Sequence, residues 1–150
     1  MRQVPMDVET TAFTNELLLG EPEAEATRRL REAPKCSVLV VDDDEEIRTV
    51  MAEILELLGY EVTVAADGQE AVDLLSIGLE PRAIVLDMMM PRMDGWTFLS
   101  RLRADPRFRE LPVVVASAVA GECPLGADAW LQKPFDLADL DRAVARLCAN

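Results

Sequence analysis

From Cys36 onward, short apolar runs rich in β-branched residues alternate with stretches of helical periodicity. Ser37 to Val41 (SVLVV) has no polar interruption beyond its first residue, which predicts a strand covered on both faces. Ile47, Val50, Met51, Ile54, Leu55 and Leu58 then recur as one stripe of a helix, and Gly59 ends it. Glu61 to Ala65 is a second strand. Asp67 with Glu70 forms a capping box ahead of Ala71, Leu74 and Leu75, and Gly78 closes that helix. Ala83 to Leu86 is a third strand, followed by a helix carrying Trp96, Phe98, Leu99 and Leu102 that stops before Asp105-Pro106. Val113 to Ala116 is a fourth strand and Ala129 to Gln132 a short fifth. Asp136 caps a last helix with Leu137, Leu140, Val144 and Leu147. Repeated strand-then-helix units of this kind predict an α/β fold on a parallel sheet.

One connection is too short for that scheme. Residues 118–128 join the fourth strand to the fifth and include Gly121, Pro124 and Gly126, whereas a parallel crossover takes a dozen residues or more with its helix. The fourth helix is expected to be short or absent. The first 34 residues differ in texture from the rest, with scattered apolar positions and a Gly20-Glu21-Pro22 break. They read as an N-terminal extension, partly helical or flexible, ahead of a domain over 35–150. Its apolar positions Phe13, Leu17 and Leu18 are expected to cover the sheet face that the short crossover leaves bare, in the same chain or in a homodimer mate.

Length and composition agree with one core: 150 residues, half of them apolar and 29% charged. Fifteen basic against 28 acidic residues leave a net charge of −13, which repels phosphate backbones and anionic lipid and argues against direct nucleic-acid binding. No apolar run approaches the ~20 residues that span a bilayer. Cys36, Cys123 and Cys148 are odd in number and lack metal-type spacing, which fits a reducing, cytoplasmic setting. The chain has no histidine, so histidine triads and imidazole metal ligands are excluded.

In an open parallel sheet, ligands bind beyond the carboxyl ends of the strands. Strand one runs into Asp42-Asp43-Asp44, strand three into Asp87, strand four into Ser117 and strand five into Lys133. Several acids, one hydroxyl and one ammonium therefore converge on one edge. Crowded carboxylates repel by a few kcal/mol per close pair at an effective dielectric near ~20, and Lys133 alone cannot neutralise them. An all-oxygen donor set favours a hard divalent ion, Mg²⁺ or Mn²⁺. Such a site suits phosphoryl transfer with a carboxylate as nucleophile and an aspartyl phosphate as product. Each residue also has a plainer use. Asp42 and Asp43 could as well be helix caps, Asp44 is better suited to a cap than to a metal, Asp87 could be a turn acid before Pro91, and Ser117 could satisfy local backbone. Four such coincidences at four strand ends are needed to explain the set away.

The runs VLVVDDDEEIR, IVLDMMMPRMDGW, VVVASA and AWLQKPF, in this order, resemble the receiver domain of two-component response regulators across residues 36–148. The resemblance implies a flavodoxin-like three-layer α/β/α sandwich with strand order 2-1-3-4-5. It implies that Asp87 accepts a phosphoryl group from a histidine kinase or phosphotransfer protein. Asp43, with Asp42 in support, and the carbonyl of Met89 would hold Mg²⁺ together with Asp87. Ser117 and Lys133 would contact phosphoryl oxygens, the Lys133-Pro134 bond would be cis, and Trp130 would occupy the aromatic switch position. The alternative for Trp130 is an ordinary half-buried strand aromatic. The short crossover departs from the family and removes most of one helix of its usual output face.

The expected function is thus a phosphoacceptor that signals to a downstream protein and is not a turnover enzyme, with at most slow self-dephosphorylation. Two other classes remain: a phosphorylation-independent interaction module, and a Mg²⁺-dependent hydrolase working through an aspartyl phosphate, for which no insertion large enough to form a substrate cap is present.

Overall fold

The computed structural model describes residues 36–118 and 123–149. Five strands and four helices alternate in it: β1 Ser37–Val41, α1 Glu45–Leu57, β2 Glu61–Ala65, α2 Gly68–Ser76, β3 Ala83–Leu86, α3 Gly95–Ala104, β4 Val113–Ser117, β5 Ala129–Gln132 and α4 Leu137–Cys148. All pairings are parallel and the sheet order is β2-β1-β3-β4-β5, the 2-1-3-4-5 arrangement that the resemblance implies.

Period-two alternation sorts the strand side chains into two cores. Val38 and Val40 of β1, Val85 of β3 and Val114 and Ala116 of β4 pack with Met51 and Leu55 of α1 and Leu140, Val144 and Leu147 of α4. Leu39, Val41, Ile84, Leu86, Val113 and Val115 face the other way, toward Ala71 and Leu75 of α2 and Phe98, Leu99 and Leu102 of α3. The result is a helix layer on each side of the sheet. The central strands are buried at nearly every position, whereas edge strand β2 is covered only in part. Each helix starts at an aspartate that accepts a backbone N–H of its first turn: Asp44, Asp67, Asp94 and Asp136.

Two features lie beyond what residue order shows. Trp96, carried by α3 as expected, is half exposed. Gly95 is the residue pressed close, against Met88 and the Asp87 carbonyl, so the buried stripe runs Gly95, Phe98, Leu99, Leu102, and Trp96 is turned away from it by about 100°. Cys36 is joined by a disulfide to Cys148, 112 residues along the chain. The pairing depends on the end of α4 lying beside the entrance to β1, which residue spacing does not reveal. Cys123 is unpaired and exposed.

Between β4 and β5 the described residues contain no helix, only a turn at Leu125–Gly126. Arg103, at the end of α3, ties down this connection. Its guanidinium donates to the carbonyls of Gly126 (2.8 Å), Leu111 (2.8 Å) and Arg109 (3.0 Å), and to Asp128 Oδ2 at 3.1 Å. Asp128 in turn accepts the N–H of Val113 at the start of β4. Ala127 and Trp130 complete the patch by packing on the second core. The expected cover by Phe13, Leu17 and Leu18 falls outside the described residues. Replacing Arg103 with Met should cost about 2–3 kcal/mol, because several carbonyls lose a charged donor together. Urea unfolding measures this, and a cost below ~0.5 kcal/mol would mean that the connection is held by other contacts.

Candidate functional site

Asp42, Asp87 and Lys133 each follow directly on a strand and Ser117 ends one, and the ladder carries them into place. The N–H of Asp42 donates to Ala65 O at 3.1 Å, that of Asp87 to Val41 O at 2.9 Å, and that of Lys133 to Ser117 O at 2.8 Å. Register does the rest: Val41 pairs with Leu86, Leu86 with Val115, and Ser117 with Gln132. Asp42, Asp87, Ser117 and Lys133 thus end four neighbouring strands on one sheet edge. Asp42, Asp87 and Ser117 are buried there, and Asp43 is exposed at the rim.

One carboxylate oxygen from each of Asp42, Asp43 and Asp87 lies within 4.8 Å of the other two. Lys133 Nζ sits 2.8 Å from Asp42 Oδ2 and 3.6 Å from Asp87 Oδ1. One ammonium among three acids leaves a net negative cup, and its donors are all oxygen. This set fits a hard divalent ion, which would add the missing positive charge. The rival capping role falls to Asp44, whose Oδ1 accepts from Glu46 N and Ile47 N; Asp43 is left facing the cup. Asp42 is braced on its other side, with Oδ1 accepting the N–H of Asp44 at 2.9 Å and its backbone carbonyl accepting Arg48 Nη1 at 2.8 Å.

The loop 88–94 folds back over Asp87. Gly95 N donates to Met88 O at 2.9 Å, an approach so close that a Cβ at Gly95 would lie 2.7 Å from Asp87 O. Met89 follows Asp87 at the rim, exposed, with its N–H turned to the Asp87 carboxylate. The Lys133–Pro134 peptide is cis. Trp130 stands on β5 opposite Val115, partly buried against the second core.

Burial pushes Asp87 up to about 6. Lys133 opposes the rise, Asp42 and Asp43 add to it, and the Met89 N–H opposes it further. Two arginines at this edge escaped the sequence reading. Arg48 lies a helical turn beyond the acids and could have been noticed by spacing. Arg92, which pairs with Asp67, could not, because the contact crosses 25 residues.

Comparison with known proteins follows the same outline. The response regulator receiver domain family matches residues 38–145. Response regulator Rre1 of Synechocystis is 40% identical over 125 residues, covering 79% of this chain and 54% of that protein. The transcriptional regulatory protein CpxR of Escherichia coli is 38% identical over 118 residues, covering 75% of this chain and 47% of its own length. The chain therefore spans about half the length of these curated relatives. Among solved structures, the receiver domain of a sensor histidine kinase from Pseudomonas aeruginosa, described with a magnesium ion coordinated in its active-site cleft, superposes with a TM-score of 0.70 at 30% identity, covering 77% of this chain and 98% of that one.

The Asp87 shift has a definite sign in stability. Between the ordinary value of 3.8 and about 6, the folded chain holds a proton that the unfolded chain has released. That contribution is complete below 3.8 and is lost as pH rises through 6, so ionised Asp87 costs on the order of 2–3 kcal/mol near neutrality. In chelator-treated protein, Asp87→Asn should be more stable than wild type by about this amount near pH ~7.5, with the gap closing toward pH ~4. Urea titrations across that range check it; a gap independent of pH would assign the stabilisation to something other than this carboxyl.

Proposed function

The chain belongs to the response regulator receiver family, and from that premise we propose that it accepts a phosphoryl group on Asp87 from a histidine kinase or phosphotransfer protein and signals through protein contacts. The observation that carries this reading is the placement of a buried nucleophilic carboxylate, two further acids, a hydroxyl and an ammonium on one sheet edge.

An Asp87 oxygen attacks phosphorus in line, the P–N bond to the donor imidazole breaks, and its electron pair returns to the ring. Held by Asp43, Asp87 and the Met89 carbonyl with Asp42 in support, Mg²⁺ or Mn²⁺ would supply neutralising charge to the phosphoryl oxygens. Lys133 contributes a second positive charge, already poised between Asp42 and Asp87. The Ser117 hydroxyl, buried at the end of β4, turns to a phosphoryl oxygen, and Trp130 on β5 repacks with it as the switch. Both residues lie beside the β4–β5 connection, whose described residues contain no helix, and the signal is read there by a partner suited to this altered face.

The donor is a protein. An open apolar groove lined by Ile47, Val50, Met51, Phe135 and Leu137 borders Lys133, and it offers a docking surface beside the acceptor. A charge of −13 disfavours direct contact with nucleic acid. We assign the reaction to the cytoplasm, and we regard the chain as a stoichiometric acceptor with at most slow self-dephosphorylation.

Incubation with Mg²⁺ and acetyl phosphate, followed by intact mass measurement, tests the reading. Wild type should gain one phosphoryl group, Asp87→Asn none, and Lys133→Ala should load at least about tenfold more slowly. An unmodified wild type, or a modified Asp87→Asn, would overturn the assignment.

A further inference from the structure

The loop that follows the acceptor is held by a contact unconnected with the acid cup. Met93 N donates to Pro91 O at 2.7 Å, closing a three-residue γ-turn on Arg92, whose φ is 63. A γ-turn with positive φ is strained for a residue with a side chain. The Arg92 side chain offsets that strain by reaching α2, where both Nε and Nη2 donate to Asp67 Oδ2.

Asp67 is well placed to receive it. Its carboxylate is buried, and its other oxygen, Oδ1, caps α2 by accepting Glu70 N at 2.9 Å. Beside it, Gly68 N donates to Met93 O at 3.3 Å, in a space so narrow that a Cβ at Gly68 would lie 2.9 Å from that oxygen. The loop is therefore anchored at its base by Gly95 and at its far end by α2. Met89, between these anchors, turns its N–H to the Asp87 carboxylate. Slack at the far end would let that donor leave.

We propose that the Asp67–Arg92 pair is a positioning clamp for phosphoryl acceptance: it pins the γ-turn of loop 88–94 to the first turn of α2 and so holds the Met89 peptide against Asp87. This inference rests on the phosphoacceptor reading of the same site. Arg92 and Asp67 touch neither the cup nor the incoming group; they act through the loop.

The test compares wild type with Arg92→Ala, Asp67→Asn and the double variant. Asparagine keeps the helix cap but loses the charge that Arg92 needs. At a temperature where all are folded, loading from acetyl phosphate over a range of Mg²⁺ should be about 3–10-fold slower in each single variant, and the double variant no slower than either single one. Arg92→Lys, which keeps a cation in reach, should recover part of the rate. Amide hydrogen exchange gives an independent reading: Met93 and Gly95 N–H should exchange at least about tenfold faster in Arg92→Ala. Loading within about twofold of wild type in both single variants, or unchanged exchange at Met93 and Gly95, would overturn the clamp. Failure of wild type itself to load would overturn the phosphoacceptor reading instead, and amide exchange alone would then decide whether the pair holds the loop.

Discussion

Like charges forced together at one end of a parallel sheet are the constraint around which this domain is built. Three carboxylates share a volume in which an oxygen of each lies within 4.8 Å of the others, and a single ammonium, 2.8 Å from Asp42, offsets them. At an effective dielectric near ~20 each close pair repels by a few kcal/mol. The cup persists because its members are extensions of strands already secured by hydrogen bonds and by two hydrophobic cores. Burial raises the pKa of Asp87 and the neighbouring Asp42 and Asp43 add to the rise, so relieving the crowding with positive charge or a proton is what the site is arranged to reward.

Two loops are held by arginines where the regular scaffold falls short. The connection from β4 to β5 has no helix among its described residues, and Arg103 gathers its carbonyls with those of the loop before β4. The loop after β3 contains a strained turn, and Arg92 carries that turn to α2. In each case a planar fork of donors replaces packing area with several directed bonds. Arg103 works at the N-terminal edge of the sheet, away from the cup, and Arg92 beside the cup; they belong to the layer formed by α3 and α2. The opposite layer contributes Arg48 to the Asp42 carbonyl and the start of α4 to the Lys133 side.

Much of this was legible from residue order. Runs such as SVLVV and AIVL have no polar face and so admit only doubly covered strands. The four helices begin at aspartates whose short side chains reach back to first-turn amides, a purely local event. Asp42, Asp43, Asp87, Ser117 and Lys133 could be proposed as one site because every parallel strand delivers its C-terminal residue to the same edge. Local chemistry did not separate Asp43 from Asp44; the structure did, by spending Asp44 on the α1 cap.

What the chain determined by itself were the elements, their caps and the residues that follow each strand, since these depend on contacts within a few positions. Strand order came from the family resemblance and not from the residue pattern; the Cys36–Cys148 link, the outward turn of Trp96 and the Asp67–Arg92 and Arg103 bridges were decided only by the tertiary structure. Each of these depends on distances between segments 20 to more than 100 residues apart, or on which face of a helix meets the sheet. A linear pattern carries no term for either.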